Sequence, residues 1–275
     1  MSSADLAVAF YPDVLRLAFA AGDEIMGVYH NDFAIEKKGD QSPLTAADLK
    51  AHEVLVHGLR RLKPELPVLS EEGALTPWSE RGAWERYWLV DPLDGTREFV
   101  KRNGEFTVNV ALIDRGEPIL GVIHAPALGE SYFGIATVGA FASRSHNPWH
   151  RLTARRPAAD PPRVLASRSH SDARLERVLS RLAPHERLGL GSSLKFARIA
   201  TGQADLYIRL GPTCEWDTAA GHCLLAASGG QVTTLAREPL VYNQKSSLKN
   251  PFFIAFADPG IVPDRLEETA GSGGG

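Results

Sequence analysis

Apolar residues recur at three- and four-residue steps through residues 5–29, at Leu6, Phe10, Val14, Leu17, Ala18, Ala21, Ile25 and Val28, which predicts an amphipathic helix. A second helix is expected to open at Thr45-Ala46-Ala47-Asp48, to carry Leu49, Leu55, Val56, Leu59 and Leu62 on its apolar face, and to stop at Pro64. Asp48 stands three residues after Thr45, the spacing of a capping box. The pattern then changes to short strands at 66–70 and 87–90, followed by closely spaced ones at 106–113, 119–124, 132–136 and 140–143, an antiparallel meander. The polar, Pro-rich stretch 151–162 reads as a linker. Beyond it, strands at 163–167, near Leu188, and at 205–210, 231–235 and 252–256 alternate with helices at 172–182, 194–200 and 217–227. The expected organisation is an N-terminal lobe over residues 1–155, a C-terminal α/β lobe over 156–268 and a flexible tail over 269–275.

Composition narrows the classes of function more than it alters the fold. The 275 residues are 44% hydrophobic, enough for a large core, and carry a net charge of −3, which supplies no field for wrapping a nucleic acid polymer. No run reaches membrane-spanning length, and Asp5, Asp13, Asp23 and Glu24 interrupt any secretory apolar segment near the N-terminus. Cys214 and Cys223, nine apart, fit free thiols in a reducing cytoplasm.

The chemistry concentrates in Asp91-Pro92-Leu93-Asp94-Gly95-Thr96, where a buried strand is expected to end. Two acids this close repel unless a cation lies between them, and amides at Gly95 and Thr96 can face an anion. Glu71 and Glu72 follow the preceding strand, and neighbouring strands can bring all these acids to one sheet edge. Asp217 opens a helix of small residues; alone it is a dipole-complementing acid, but facing Asp91 and Asp94 it completes an oxygen-rich site suited to Mg²⁺. Gly189-Leu190-Gly191-Ser192-Ser193-Leu194-Lys195 lacks the spacing of a Walker loop, leaving a helix start with a cation one turn on, or a simple N-cap at Ser192 or Ser193. There is no His-Glu-x-x-His or Gly-x-Ser-x-Gly motif, and His146 and His150 flank Pro148, so His170 is the one histidine kept as a candidate.

In this order, Ser70-Glu71-Glu72, Asp91-Pro92-Leu93-Asp94-Gly95-Thr96 and Trp216-Asp217-Thr218-Ala219-Ala220-Gly221 resemble the motifs of the inositol monophosphatase superfamily of lithium-sensitive, magnesium-dependent phosphatases. The resemblance covers nearly all of residues 5–257 and sharpens toward the 3′(2′),5′-bisphosphate nucleotidases of the CysQ type. These share stretches like Gly39-Asp40-Gln41-Ser42-Pro43, Asn103-Gly104-Glu105-Phe106, Ser167-Arg168-Ser169-His170 and Gly191-Ser192-Ser193-Leu194-Lys195.

The resemblance implies a fold between the α+β and α/β classes, a layered α/β/α/β/α sandwich of the sugar-phosphatase type in two lobes. It implies that Glu71, Asp91, Asp94, Asp217 and the Leu93 carbonyl hold two or three Mg²⁺ ions, with Glu71 chosen over Glu72 by the family pattern alone. By the same resemblance Asp48 and Thr96 orient the attacking water, displacing the capping role of Asp48. Gly95 and Thr96 hold the scissile phosphate beside Asp217, while His170, Ser192, Lys195 and Arg209 match positions facing a second phosphate. The implied reaction, in cytoplasmic sulfur assimilation, removes the 3′-phosphate of 3′-phosphoadenosine 5′-phosphate to give AMP and phosphate, with the 5′-phosphosulfate as a further substrate. Rival readings are an inositol or sugar phosphatase on the same metal site, and a noncatalytic phosphonucleotide or magnesium sensor. Peripheral membrane association rests on family analogy only, and both monomer and homodimer stay open. Glu215, where related sequences often have an uncharged residue, either alters metal affinity or faces solvent.

Overall fold

The computed structural model describes residues 2–31, 35–37, 43–145, 147–167, 173–180, 182 and 184–262. The expectations for residues 39–42, His146, His170 and the tail at 269–275 lie outside the described residues.

Helix α1 (Ser3–Tyr29) starts where Ser2 Oγ accepts the Asp5 N–H and the Asp5 carboxylate accepts the Ser2 N–H, a reciprocal capping box. Two-residue strands β1 (Glu36–Lys37) and β2 (Pro43–Leu44) pair antiparallel ahead of α2 (Ala46–Arg60). The buried stripe of α2 is Ala47, Ala51, Leu55 and Leu59, at four-residue steps, so Leu49 is exposed rather than on the core face expected for it. Next come β3 (Val68–Ser70), α3 (Trp78–Arg81), β4 (Arg86–Asp94), α4 (Thr96–Val100) and β5 (Thr107–Asp114). The meander continues through β6 (Glu117–Ala125), β7 (Glu130–Ile135), β8 (Gly139–Arg144) and β9 (His150–Leu152).

These strands form one seven-stranded sheet in the order β3-β4-β5-β6-β7-β8-β9. Every neighbouring pair is antiparallel except β3 with β4. The expected linker therefore begins later than its composition suggested. Leu152 and Ala154 are buried, and the Ala154 N–H donates to the Ser228 carbonyl, because apolar residues alternate with the exposed polar ones there.

The rest of the chain runs β10 (Arg163–Ser167), α5 (Ala173–Leu179), β11 (Glu186–Leu190), α6 (Leu194–Ala200), β12 (Leu206–Arg209), α7 (Glu215–Ala227), β13 (Gln231–Thr234) and β14 (Phe253–Phe256). Its five strands order as β11-β10-β12-β14-β13, with β10 parallel to β11 and β12.

Period-two alternation assigns side chains to layers. In β4, Trp88 and Val90 join a core with α1 and α2, while Tyr87 and Leu89 face the core that includes Phe196 of α6 and Leu224 of α7. In β14, Phe253 and Ala255 close that middle core, and Ile254 and Phe256 turn outward to Val178 and Leu179 of α5. The result is the layered α/β/α/β/α sandwich. Helix α7 lies very close to the large sheet, since a Cβ on Gly121 would come 2.4 Å from the Ala220 carbonyl oxygen. That close approach brings the first turn of α7 to the sheet edge where β3 and β4 end.

Candidate active site

The parallel pairing of β3 with β4 is what collects the acids. Ser70 is opposite Val90, so the two strands end at the same edge, and the Glu71 N–H still donates to the Val90 carbonyl at 3.1 Å. Glu71 and Asp91 are consequently the next residues on adjacent strands. Beyond Asp91 the ladder with β5 loses register: Asp91 lies opposite Asn109 but Asp94 lies opposite Thr107. Three steps on β4 match two on β5, a bulge placed where Pro92 has no N–H to offer the ladder. The turn is held by the Leu93 N–H, which donates to Asp91 Oδ1 at 3.0 Å. Gly95 then takes φ +90°, and a Cβ there would come 3.0 Å from the Glu105 carbonyl oxygen, so glycine lets α4 start at Thr96.

Glu71, Asp91 and Asp217 converge so that one carboxylate oxygen from each lies within 4.8 Å of the others. At an effective dielectric near 20, like charges this close repel by roughly 3–4 kcal/mol per pair. Burial, then the charges of Glu71, Asp94 and Asp217, push the Asp91 carboxyl well above the ordinary range. Asp217 is pushed the same way by burial and by Asp94 and Glu71, although the Cys214 N–H it accepts at 2.8 Å acts against the shift. An arrangement that raises carboxyl pKa values in this manner fits a bound cation.

Asp94 stands next to this trio but is held differently. Its Oδ2 accepts from the Ser193 N–H at 2.6 Å, lies 2.6 Å from Ser193 Oγ, and takes a longer bond of 3.3 Å from Asn109 Nδ2. Ser193 Oγ also lies 2.9 Å from the Asp217 carbonyl oxygen and accepts from Asn109 Nδ2 at 2.8 Å. Ser193 thus ties Asp94 to the start of α7. Sequence reasoning placed Ser193 at an anion-binding helix start or as an N-cap and gave Asn109 no role; a polar residue inside the apolar run of β5 was the available signal.

Asp48 is only 1% exposed and uses both oxygens. Oδ2 accepts the Thr45 N–H and hydroxyl, each at 2.8 Å, and Oδ1 lies 3.3 Å from Thr96 Oγ1, which is also 3.3 Å from the Leu93 carbonyl. The capping role is therefore retained alongside the contact with Thr96, not displaced by it. The two functions use different oxygens.

A cleft extends from Asp94 and Gly95 past Arg97 to Ser192, Lys195 and Arg209. Lys195 Nζ donates to the Ser192 carbonyl at 2.7 Å and the Leu190 carbonyl at 3.2 Å, and burial lowers its pKa to about 8. Arg209 donates through Nη2 to the Pro212 carbonyl at 2.8 Å, while its buried Nε has no hydrogen-bond partner among the described residues. Ser192 adopts φ +45°, and its Oγ receives the Leu194 N–H at 3.4 Å. Arg97, exposed at the mouth, and Tyr207, whose ring lies beneath Lys195 Nζ, were not anticipated. Glu215 does not face solvent: it is 1% exposed and accepts the Asn243 N–H at 2.8 Å.

A trio of acids that could hold a metal ion stands beside a cleft edged by cations on a layered α/β/α/β/α fold. The chain matches the inositol monophosphatase family over residues 10–264, and it belongs to that family. It is 50% identical over 242 residues to the 3′(2′),5′-bisphosphate nucleotidase CysQ of Escherichia coli K12, covering 87% of this chain and 96% of that one. Among solved structures it is similar to CysQ from Bacteroides thetaiotaomicron, with a TM-score of 0.79, 39% identity and coverage of 89% of this chain and 96% of that chain. It is also similar to an inositol monophosphatase from Anabaena, with a TM-score of 0.72 and 25% identity, covering 96% of both chains.

Proposed function

We propose that the protein is a Mg²⁺-dependent 3′(2′),5′-bisphosphate nucleotidase that hydrolyses the 3′-phosphate of 3′-phosphoadenosine 5′-phosphate to AMP and phosphate. The observation that carries the reading is the convergence of Glu71, Asp91 and Asp217 at one end of a cleft whose other end carries Lys195 and Arg209. A substrate with two separated anionic groups matches that polarity, and the 50% identical relative is named for such a substrate. In this reading residues 1–155 supply Glu71, Asp91 and Asp94, and residues 156–268 supply Asp217 and the cations.

The oxygen-only donors Glu71, Asp91 and Asp217, with Asp94 and the Leu93 carbonyl adjoining, suit Mg²⁺ over softer ions. When bound, Mg²⁺ supplies charge neutralisation for the phosphate and a more acidic water. Thr96 Oγ1 has one proton, directed at Asp48 or the Leu93 carbonyl, and so keeps lone pairs to accept a bond from a water in the cleft. Asp48, its Oδ2 fixed by Thr45, offers Oδ1 as the proton acceptor at the end of that relay. Gly95 and Thr96 begin α4, where main-chain amides face the phosphoryl oxygens. Lys195 turns from the Ser192 and Leu190 carbonyls to the second phosphate, with Arg209 and Ser192 completing that end.

The Thr96–Asp48 contact favours an enzyme over a magnesium or phosphonucleotide sensor, which needs no group to orient a water. We place it in the cytoplasm, where the free thiols Cys214 and Cys223 are stable. The test is phosphate release with Mg²⁺ from the bisphosphate nucleotide, its phosphosulfate analogue and inositol monophosphate. The nucleotide substrates are expected to be preferred, and a strong preference for inositol monophosphate would move the substrate assignment to the sugar phosphatases.

A further inference from the structure

The acids of the trio reach one another from different parts of the chain, and a second set of bonds, away from the trio, joins the same parts. Arg81, on the last turn of α3, is 2% exposed and lies in the connection that starts after Glu71 and leads into β4. Its Nη1 donates to Asn243 Oδ1 at 2.5 Å and to the Lys245 carbonyl at 3.3 Å, and its Nη2 donates to the Ser246 carbonyl. Asn243 answers through Nδ2, which donates to the Arg81 carbonyl at 2.7 Å. The Asn243 main-chain N–H then donates to Glu215 Oε2 at 2.8 Å. Glu215 is the first residue of α7, two before Asp217.

The loop after Asn243 also wraps the start of α7. The Glu215 N–H donates to the Leu248 carbonyl at 2.9 Å, and Asn250 Nδ2 donates to the Cys214 carbonyl at 2.6 Å and lies 3.1 Å from Thr218 Oγ1. The first turn of α7 is therefore gripped by residues that Arg81 fastens to the segment between Glu71 and Asp91. Trp78 covers the Arg81 guanidinium at 5.0 Å, which keeps water from competing for these bonds. Asn243 holds φ +51°, a left-handed conformation that asparagine tolerates better than most residues and that aims both its N–H and its side chain.

We propose that Arg81, Asn243 and Glu215 form a clasp of positioning residues that sets Asp217 at the correct distance from Glu71 and Asp91, and that divalent-cation affinity depends on it. The inference rests on the trio being a Mg²⁺ site. It gives Glu215 a role through the helix start and assigns it no contact with the ion.

Two variants disturb the clasp, one at its side-chain bonds and one at its charge. Asn243→Gly keeps the left-handed φ and the N–H to Glu215 but removes the side-chain bonds to Arg81. Glu215→Gln keeps an acceptor for Asn243 while removing the charge. Mg²⁺ binding is measured by calorimetry on the whole protein without nucleotide, alongside melting temperatures in chelator. Each variant is expected to bind Mg²⁺ about 10- to 100-fold more weakly, as for other groups that orient metal ligands. Because both act along one chain of bonds, the double variant is expected to lose no more than about the larger single loss. Metal-free melting temperatures are expected to fall modestly as buried hydrogen bonds are lost, and raised Mg²⁺ to restore turnover. Native Mg²⁺ affinity in both variants, or a fall in melting temperature with binding unchanged, would overturn the clasp and leave the proposed reaction standing. If the native protein binds no Mg²⁺, the metal reading fails, and this inference falls with it.

Discussion

The two ends of the cleft are built by different means. At the acidic end, Glu71 and Asp91 leave paired strands at one sheet edge, and Asp217 belongs to a helix pressed against the same sheet. Main-chain hydrogen bonds fix their positions, and the carboxylates are forced together against their own repulsion. At the cationic end, Lys195 and Arg209 are held by carbonyls of short connecting segments, bonds that a phosphate can replace. The contrast points to a division of labour in which the acidic end is rigid and indispensable, whereas the cationic end is adaptable and graded in effect.

The largest effect is expected at Asp91. Asp91→Asn retains shape and an acceptor for the Leu93 N–H but weakens the charge at the centre of the trio. Phosphate release at saturating Mg²⁺ is expected to fall by roughly 10³-fold or more, about 4 kcal/mol of transition-state stabilisation. The same substitution is expected to raise the melting temperature in chelator, since it relieves repulsion between buried acids. Native turnover in this variant would remove the acidic end from the chemistry.

Ser193→Ala comes next and tests whether Asp94 depends on its tie to α7. The hydroxyl sits among Asp94, Asn109 and the Asp217 carbonyl, and its loss leaves Asn109 Nδ2 with only the 3.3 Å contact to Asp94. Mg²⁺ affinity is expected to weaken by about 10- to 100-fold. Thermal unfolding in chelator should report a loss of about 1–3 kcal/mol from the buried hydrogen bonds. An unchanged Mg²⁺ titration would make Ser193 a packing residue only.

The same contrast explains how far sequence reasoning reached. Acids at strand ends followed by Pro and Gly were legible, because Glu71, Asp91 and Asp94 carry their chemistry in local pattern. What the pattern does not carry is direction: nothing in residues 66–70 and 87–90 says that β3 and β4 run parallel, and it is that pairing which brings Glu71 to Asp91. Between the adjacent Glu71 and Glu72 the residues themselves gave no choice and the family pattern alone chose Glu71, the one that the structure groups with Asp91 and Asp217. Asp48 was readable as a cap from its spacing to Thr45, but the second use of its other oxygen depends on α2 meeting α4 in space. Arg81 and Asn243 left no local signature, Glu215 stood out only against the family pattern, and the burial of all three is tertiary. The meander and the two long helices needed none of this, since alternation and three- to four-residue steps encode them directly.

A smaller effect is expected at the cationic end. Lys195→Met keeps the buried aliphatic stem over Tyr207 and removes the charge. KM for the bisphosphate nucleotide is expected to rise about tenfold with kcat within a few-fold of native, the signature of a contact shared by ground and transition states. Hydrolysis of a substrate with a single phosphate should be little affected. A collapse of kcat equal to that of Asp91→Asn would erase the distinction between the two ends.

The finest test is pH. Burial holds the Lys195 pKa down at about 8, below the ordinary lysine value, so the side chain is an ammonium below that pH and a neutral amine above it. The second ionisation of a phosphate monoester, near 6, is complete by then, so the substrate's charge no longer changes. kcat/KM for the bisphosphate nucleotide is therefore expected to decline by several-fold as pH rises through about 8, reporting the free enzyme. Lys195→Arg keeps a cation at every accessible pH and is expected to flatten that decline, even if the bulkier guanidinium lowers the absolute rate. With the single-phosphate substrate the decline should be absent in both proteins, because the cationic end then has no anion to hold. A decline that persists unchanged in Lys195→Arg would assign it to another group and leave Lys195 without a part in recognising the second phosphate.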